Sequence, residues 1–397
     1  MFGFGLNAAQ KLVYESLLRS HHTIEIGISV LDLNHNHVGL VTNRLLDGQV
    51  TCDETQAIAR GLEVDLLDPT GALHMDSGSP DAGAMFADRM IQATYSVINP
   101  EGTLRFDCPV FTGPITKLDR SGAAVRVEAQ GKECFGMARA WTQKTYKKGY
   151  PVTTAIRDIL VNIMGENKHS IPKLSSRLPR NTSVGGEDGL PWVVAKSMAS
   201  AIGYHLYFDA LGVARLRKMP SSSTYSFAEG SGGSVKTEPE VGFNIENVVN
   251  AVEVFGKKPK QEKGKTAKKR PYYRAVAARS HPLSPWALGG DGTAGKRKPR
   301  YLPEILEDNS VLTNAQAKAR ALSRLNAGLL ESIEVSFDTL VIPHAEAMDI
   351  VQIKTSKYSG DFRLKKFAIP FTAGGQMTIG YVKNVKPNSS AIRARKR

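Results

Sequence analysis

The sequence predicts a β-rich α+β fold in a multidomain chain: two β-barrel-like domains with a small α+β module between them. Three observations point there. From Thr23 to about residue 145, apolar and polar residues alternate in short runs broken by turns, the period of half-buried strands. Between residues 146 and 222 the apolar spacing lengthens to the three-to-four of a helix and then reverts to alternation. From residue 223 to 384 short alternating runs resume around a single helical stretch. Many short strands with regular turns read as a barrel or sandwich. A chain of 397 residues, 41% hydrophobic and 23% charged, is long enough to bury several cores.

Residues 1–22 read as a helical arm, with an amphipathic helix from Asn7 to Ser20 that turns Leu12, Leu17 and Leu18 to one side. In the first β domain, 23–145, Ile24, Ile26, Ile28 and Val30 alternate along the opening strand, and the Leu33–Asn36 turn sends the chain back from His37 to Val41. Further strands are expected at Gly48–Asp53, through Leu62, Val64 and Leu66, at Thr103–Cys108, and around Val125 and Val127. Ala72 to Ala93 reads as an inserted loop with a short helical run from Met85 to Ile91.

In the α+β module, 146–222, Val152, Ile156, Ile159, Leu160 and Ile163 define a helix, with Thr153 or Thr154 as N-cap and Gly165 as stop. After a polar loop from Glu166 to Gly189 comes the stretch around which the chain is organised, Pro191 to Pro220. Trp192, Ala195, Met198, Ala199 and Ile202 recur at helical spacing, and Gly203 ends the helix. Leu206 and Phe208 then alternate with their neighbours, Asp209 to Gly212 turns, and Val213 to Arg217 returns as a hairpin. Trp192 is expected to be buried between this helix and the hairpin.

The second β domain, 223–384, holds a strand from Asn247 to Phe255, a basic loop 257–273 and a strand at Arg274–Ala278. A mostly irregular run to Pro303 follows, then a helix 313–327 opened by the capping box Thr313 to Gln316. In that helix Ala317, Ala321 and Leu325 share a face, and strands follow at Ile333–Phe337, Ile350–Ile353, Phe362–Phe367 and Met377–Val382. Residues 385–397 form a basic tail.

The net charge of +14 is concentrated. Lys257 to Arg270 carries eight Lys or Arg against Glu262, and Lys296–Arg300 and Arg393–Arg397 are basic throughout their charged positions. A dedicated nucleic-acid binder shows a basic face on folded elements with aromatics to stack. Here the charge falls in Gly/Pro/Lys-rich loops and a tail, so solvated, mobile loops are preferred over electrostatic docking onto an acidic partner or nucleic acid, and a DNA-binding protein that uses these basic segments is a third reading. The three cysteines, Cys52, Cys108 and Cys134, are scattered and odd in number, which argues for reduced, buried thiols and against a disulfide framework. No signal peptide and no apolar run of membrane-spanning length is apparent, so synthesis in a cytoplasm is expected, without membrane insertion.

No catalytic constellation stands out. The sequence has no nucleophile elbow, no phosphate-binding loop, and no H-E-x-x-H or C-x-x-C. His21-His22 and the H-x-H of His35 and His37 lie at turns without further ligands, which fits exposed turn histidines better than a metal site. His205 reads as a strand-surface residue. Carboxylate pairs such as Asp53/Glu54 and Glu238/Glu240 are uninformative without a distance. No catalytic, cofactor-binding or metal-ligating residue is assigned, no cofactor is implied, and a non-enzymatic role is expected.

Several short motifs occur in a fixed order: Gly48, Val50, Thr51 and Asp53 (G-x-V-T-x-D); Leu62 to Pro69 (LEVDLLDP); and Phe111, Gly113 and Ile115 (F-x-G-x-I). Then come Trp192 before Leu206, Phe208, Asp209, Gly212, Leu216, Arg217 and Pro220 (L-x-F-D-x-x-G-x-x-x-L-R-x-x-P), and finally Asn250, Val252, Val254 and Gly256 (N-x-V-x-V-x-G). In these residues the sequence resembles the bacteriophage tail hub, or baseplate hub, family: tail-tip adaptors that include minor tail proteins of siphophages. The resemblance covers nearly the whole chain. It departs from the family in the long basic loop after Gly256, and no hydrolase or fibre domain follows Arg397 as in larger members.

The resemblance implies a structural virion protein at the phage tail tip. Such hubs are homotrimers that join the hexameric tail tube and its distal tail protein to a trimeric tail fibre or spike. They close the tube around the end of the tape-measure protein until host cell entry, with a passing contact with DNA. The alternative reading is a tail-associated cell-wall hydrolase or carbohydrate-binding tail-tip protein.

Overall fold

In a computed structural model of the chain, the alternating runs of the N-terminal half line up in one branching sheet. The structure describes residues 6–69, 71, 73, 89–186, 189–218, 220, 223, 225–230, 233–243, 248–258, 269–291, 293, 297–308, 311–330, 333–356, 359–372, 374–383 and 392–394. The chain divides into two compact units. The first holds residues 1–239 and 336–381, and the second holds 240–335 and 382–397.

Helix α1 (Ala8–Arg19) starts at a capping box in which Asn7 and Gln10 bond each other's backbone amides at 2.9 and 3.0 Å. It buries Tyr14, Leu17 and Leu18, while Leu12 is 70% exposed. The expected apolar face is therefore corrected: at 3.6 residues per turn, Leu12 lies roughly 200° from Tyr14, on the opposite side. Strand β1 (Thr23–Asp32) pairs with β2 (His37–Leu40) on one side and β5 (Arg89–Ile98) on the other. The helical run expected up to Ile91 is thus a strand from Arg89 onward; its earlier part lies outside the described residues. Ile91, Ala93, Tyr95 and Val97 are buried and alternate with Gln92, Thr94 and Ser96, a strand period that begins at Ile91, where the expected helical run ends.

Beyond them, β3 (Leu45–Asp53), β4 (Arg60–Leu67), β6 (Arg105–Ser121) and β7 (Ala124–Gln130) complete the path β3-β4-β7-β6-β5-β1-β2. Strand β6 is one long element: Arg105–Pro114 pairs with β5 and Ile115–Ser121 with β7. Gly113 sits at the changeover. A Cβ there would lie 2.0 Å from the Gln130 carbonyl oxygen, so only glycine allows the approach.

The module contains β8 (Lys144–Tyr146), α2 (Val152–Asp158) continuing as one π turn over Ile159–Ile163, β9 (His169–Ser170) and β10 (Thr182–Val184). It ends with α3 (Pro191–Ala201) and the hairpin β11 (Tyr204–Phe208) and β12 (Ala214–Lys218). Gly165 and Gly203 end their helices at φ 74° and 76°. The N-cap of α2 is Pro151, which makes no side-chain bond, rather than Thr153 or Thr154. Thr153 is instead drawn into the core. Strand β13 (Tyr225–Ala228) follows.

In the second unit, β14 (Glu240–Phe243) is followed by the sheet strands β15 (Ala251–Phe255) and β16 (Tyr272–Ala277), the short α4 (Pro285–Leu288) and β17 (Pro303–Glu307). Helix α5 (Asn314–Leu330) then lays Ala317, Ala321 and Leu325, each fully buried, against Val252, Val254 and Ala275. Its capping box forms as expected: the Gln316 amide donates to Thr313 Oγ1 at 3.2 Å, and the Thr313 amide to Gln316 Oε1 at 3.1 Å. Strand β17, which begins at Pro303 where the irregular run ends and was not assigned from sequence, lies parallel to β15. Of the basic loop, residues 259–268 lie outside the described residues, as does the C-terminal tail apart from Ile392–Ala394.

Strand β18 (Ile333–Thr339) crosses the division between the units, and the first unit is completed by β19 (Ile350–Lys354), β20 (Ser359–Pro370) and β21 (Met377–Lys383). Strand β19 joins β13 in parallel and β20 in antiparallel fashion. Strand β20 pairs with β3, from Lys366↔Asp53 to Pro370↔Gln49. Among the described residues no sheet closes into a barrel. Instead of two separately closed barrels, the N- and C-terminal β-rich segments share one sheet through β3 and β20. Alternation fixes the face a residue takes but not the strand it pairs with.

Candidate functional site

The expected organising stretch sits over a buried polar junction in the first unit. Trp192, one residue into α3, is 1% exposed, and its ring lies 5.2 Å from that of Phe208 on β11. Its Nε1 donates to the Ala57 carbonyl at 3.2 Å, which meets the usual need of a buried indole for one acceptor. Gly136 makes room for it: a Cβ there would sit 2.7 Å from that of Trp192. At the hairpin turn, Asp209 Oδ1 accepts from the amides of Leu211 and Val213 at 3.0 and 2.9 Å, and Arg215 pairs with the other oxygen. Gly212 adopts φ 67° and backs onto the Lys132 side chain.

Charged side chains converge beneath this turn. Arg60 on β4 donates to the Val110 carbonyl at 2.7 Å and to Glu346 Oε2 at 2.6 Å, and both partners of the ion pair are at most 4% exposed. The other Glu346 oxygen accepts the Ala210 amide at 3.3 Å. Arg217 on β12 lies over the Tyr207 ring at 4.9 Å and donates to Asp349 at 3.1 Å and to the Ala347 carbonyl at 2.9 Å. Lys132 pairs with Glu166, donates to the Gly212 carbonyl at 3.2 Å and lies 2.8 Å from His35 Nε2. These bonds tie sequence-distant positions, His35, Arg60, Lys132, Glu166, 209–217 and 346–349, into one junction. Buried charges in this state hold geometry, because losing either partner strands the other in a low dielectric.

Arg60 Nε and Glu133 Oε2 are buried and make no hydrogen bond to described groups. Both residues line a cavity with room for about one water, shared with Cys52, Trp192, His205 and Glu346. Burial pushes the Glu133 carboxyl up to about 7, against the pull of backbone amides and Arg60. Burial also raises Glu346. His205, half-buried rather than a surface residue, is lowered to about 4 by burial and then by Lys196 and Arg217. Burial raises the Cys52 thiol to about 12 and Cys134 to about 11, and such thiols are inert as nucleophiles. Of the turn histidines, His37 is exposed, whereas His35 is half-buried against Lys132 and lowered to about 4. No three His, Cys, Asp or Glu converge as metal ligands among the described residues, and no described helix is long and apolar enough to cross a membrane.

Trp192, Phe208, Asp209, Gly212 and Arg217 all belong to the motif read from sequence, and the structure brings them together. Arg60, Lys132, Glu133, Glu346 and Asp349 were not singled out. Glu346 and Asp349 carry one signal, a charge set inside an otherwise apolar run, VIPHAEAMDI.

No protein-family model and no curated protein matches the chain. Solved structures do. The 43 kDa tail protein of prophage MuSo2 from Shewanella oneidensis superposes with TM-score 0.60 at 13% identity, over 91% of this chain and 98% of that one. A tail protein from Neisseria meningitidis MC58 gives 0.56 at 12%, over 91% and 97%. Prophage tail protein gp18 from Listeria monocytogenes gives 0.53 at 12%, over 92% and 96%. The chain has the fold of phage tail proteins, the class to which the sequence motifs pointed.

Proposed function

We propose that the chain is a structural, non-enzymatic component of a phage virion, built into the tail tip as a hub. The observation that carries this reading is the near end-to-end likeness to prophage tail proteins, with 91% of this chain aligned to 98% of the Shewanella protein. A buried network whose charges face one another suits a part that transmits load rather than one that turns over substrate.

In the finer form of the reading, three copies form a ring that joins the six-fold tail tube and distal tail protein to a three-fold fibre or spike, closed around the tape-measure end. Each copy would present its shared sheet, built from the β-rich segments 23–145 and 223–384 joined through β3 and β20, to the tube. Closure requires a heterologous contact that repeats around an axis. Virion tail tips imaged and averaged without imposed symmetry should show three copies per tail. Six copies with true six-fold symmetry would refute the hub arrangement, and cleared bands on a peptidoglycan zymogram would refute the non-enzymatic role.

A further inference from the structure

The charge of the chain is divided unevenly between its compact units. Residues 240–335 and 382–397 carry 23 Lys or Arg against 10 Asp or Glu, whereas the first unit carries 29 against 28. The second unit therefore holds +13 of the net +14. Part of that charge is mounted on ordered structure.

The mount is a clamp built by Asn250, the first residue of the N-x-V-x-V-x-G motif. Its fully buried side-chain amide donates to the carbonyls of Leu283 and Arg300 at 3.1 and 3.0 Å and accepts the Leu302 amide at 2.7 Å. This holds the segment entering α4 against residues 300–302. Gly289 and Gly290 let the strands of this loop touch: a Cβ on either would lie 2.3 Å from the carbonyl oxygen of Lys298 or Arg297 respectively. On the clamp, Arg279 lies over the Trp286 ring at 4.9 Å, and Trp286 meets Tyr301 edge-on at 6.3 Å. Arg279, Arg297, Lys298 and Arg300 are exposed. Among the described residues no carboxylate pairs with any of the four.

We propose that this face, Arg279, Arg297, Lys298 and Arg300 around Trp286 and Tyr301, binds the phosphate backbone of duplex DNA without regard to sequence. Three of the four cations are arginines, whose planar forks match phosphate oxygens. Guanidinium groups already cover a face of each aromatic ring, since Arg274 lies over Tyr301 at 5.1 Å. The rings therefore brace cations rather than offer platforms for bases, which favours backbone contacts over base stacking. The inference stands on the charge and geometry of this unit and does not need the tail reading.

The test is fluorescence polarisation of a labelled random-sequence duplex with the full-length chain across a salt series. Wild type should bind at low salt and weaken steeply as salt rises. The combined variant Arg279→Gln, Arg297→Gln, Lys298→Gln, Arg300→Gln should lose about 3.6 from the slope of log K against log salt, about 0.9 for each phosphate contact. A control variant, Lys257→Gln, Lys258→Gln, Lys269→Gln, changes exposed lysines elsewhere in the unit and should lose much less per residue. Should the combined variant fail to melt cooperatively, Arg297→Gln and Lys298→Gln made singly should each remove about 0.9. No binding by wild type, an unchanged slope in the variants, or an equal loss per residue in the control would overturn the assignment. So would tighter binding of polyglutamate than of DNA, which would make the partner an acidic protein.

Discussion

The two compact units differ in how much of their charge is matched, although the second also pairs Arg274 with Glu253 and Arg324 with Glu304. In the first, with 29 basic and 28 acidic residues, buried charges are matched: Arg60 with Glu346, Lys132 with Glu166, and the buried Asp349 with the half-buried Arg217. In the second, 23 basic residues face 10 acidic ones, and Arg279, Arg297, Lys298 and Arg300 stand exposed on a braced loop. A buried matched charge fixes the relation between segments of the same chain. An exposed unmatched charge does nothing for the chain's own fold and has meaning only towards something else. The difference separates charge that fixes contacts within the chain from charge left for the partner proposed above.

The comparison breaks if the buried charges prove dispensable. Glu346→Ala should destabilise the first unit by about 3–5 kcal/mol, because Arg60 is left buried and unpaired. The double change Arg60→Met, Glu346→Leu should recover most of that loss. Trp192→Ala should cost a similar 3–5 kcal/mol through the cavity it leaves. Urea denaturation of the purified chain measures all three. If Glu346→Ala melted like wild type, the network would be ornamental.

Glu133, whose carboxylate has one oxygen without a partner among the described residues, gives a pH-dependent version of the same test. Its carboxyl titrates near 7 in the folded chain against an ordinary 4.5. Between those values the folded state keeps a proton that the unfolded state has released, so this residue's contribution falls as pH rises from 4.5 to 7 and stays low above. Glu133→Gln should therefore gain up to about 3 kcal/mol over wild type at pH 8, at 1.36 kcal/mol per unit. The gain should vanish by pH 4. His205 acts in the opposite sense: held neutral down to about 4, it costs stability as pH drops below its ordinary 6.5. The difference between Glu133→Gln and wild type isolates Glu133 from that background, and a gain that is constant with pH would rule out the titration. In the second unit, Thr313→Ala should cost about 1 kcal/mol by removing the α5 cap.

What was legible in the sequence follows from how local each signal is. The boundaries of β1, α3 and the β11–β12 hairpin were readable because alternation, helical spacing, Gly203 and the Asp209–Gly212 turn are encoded within a few residues. The burial of Trp192, Ala317, Ala321 and Leu325 followed from the same spacing. The pairing of β3 with β20 was not readable, since nothing in residues 45–53 names residues 359–370 as partner. β5 was missed although Ile91, Ala93, Tyr95 and Val97 alternate, because its first residues, Met90 and Ile91, read as the end of a helical run. The polar junction was half legible: Asp209, Gly212 and Arg217 stood in a motif, but Glu346 matters only because folding brings it to Arg60. The basic face was read as loop charge because Asn250, the residue that clamps it, lies about 30 to 50 residues away from the cations it positions.

The smallest expected effect sharpens the comparison most. Arg297→Gln and Lys298→Gln remove exposed charges that have no acidic partner, and no side-chain hydrogen bond or ion pair, among the described residues. Surface changes of this kind fall within about 0.5 kcal/mol. Their sign is informative. In a unit of net +13 each remaining cation sits in the repulsive field of the others, so neutralising one should raise stability slightly at low salt. At about 0.15 M salt the screening length shrinks to roughly 8 Å and the gain should fade. Thermal melts at two ionic strengths would detect it. A loss of stability on either substitution, insensitive to salt, would mean that the cation packs against its own chain. The contrast between inward-matched and outward-facing charge would then fail at the residues chosen to define it.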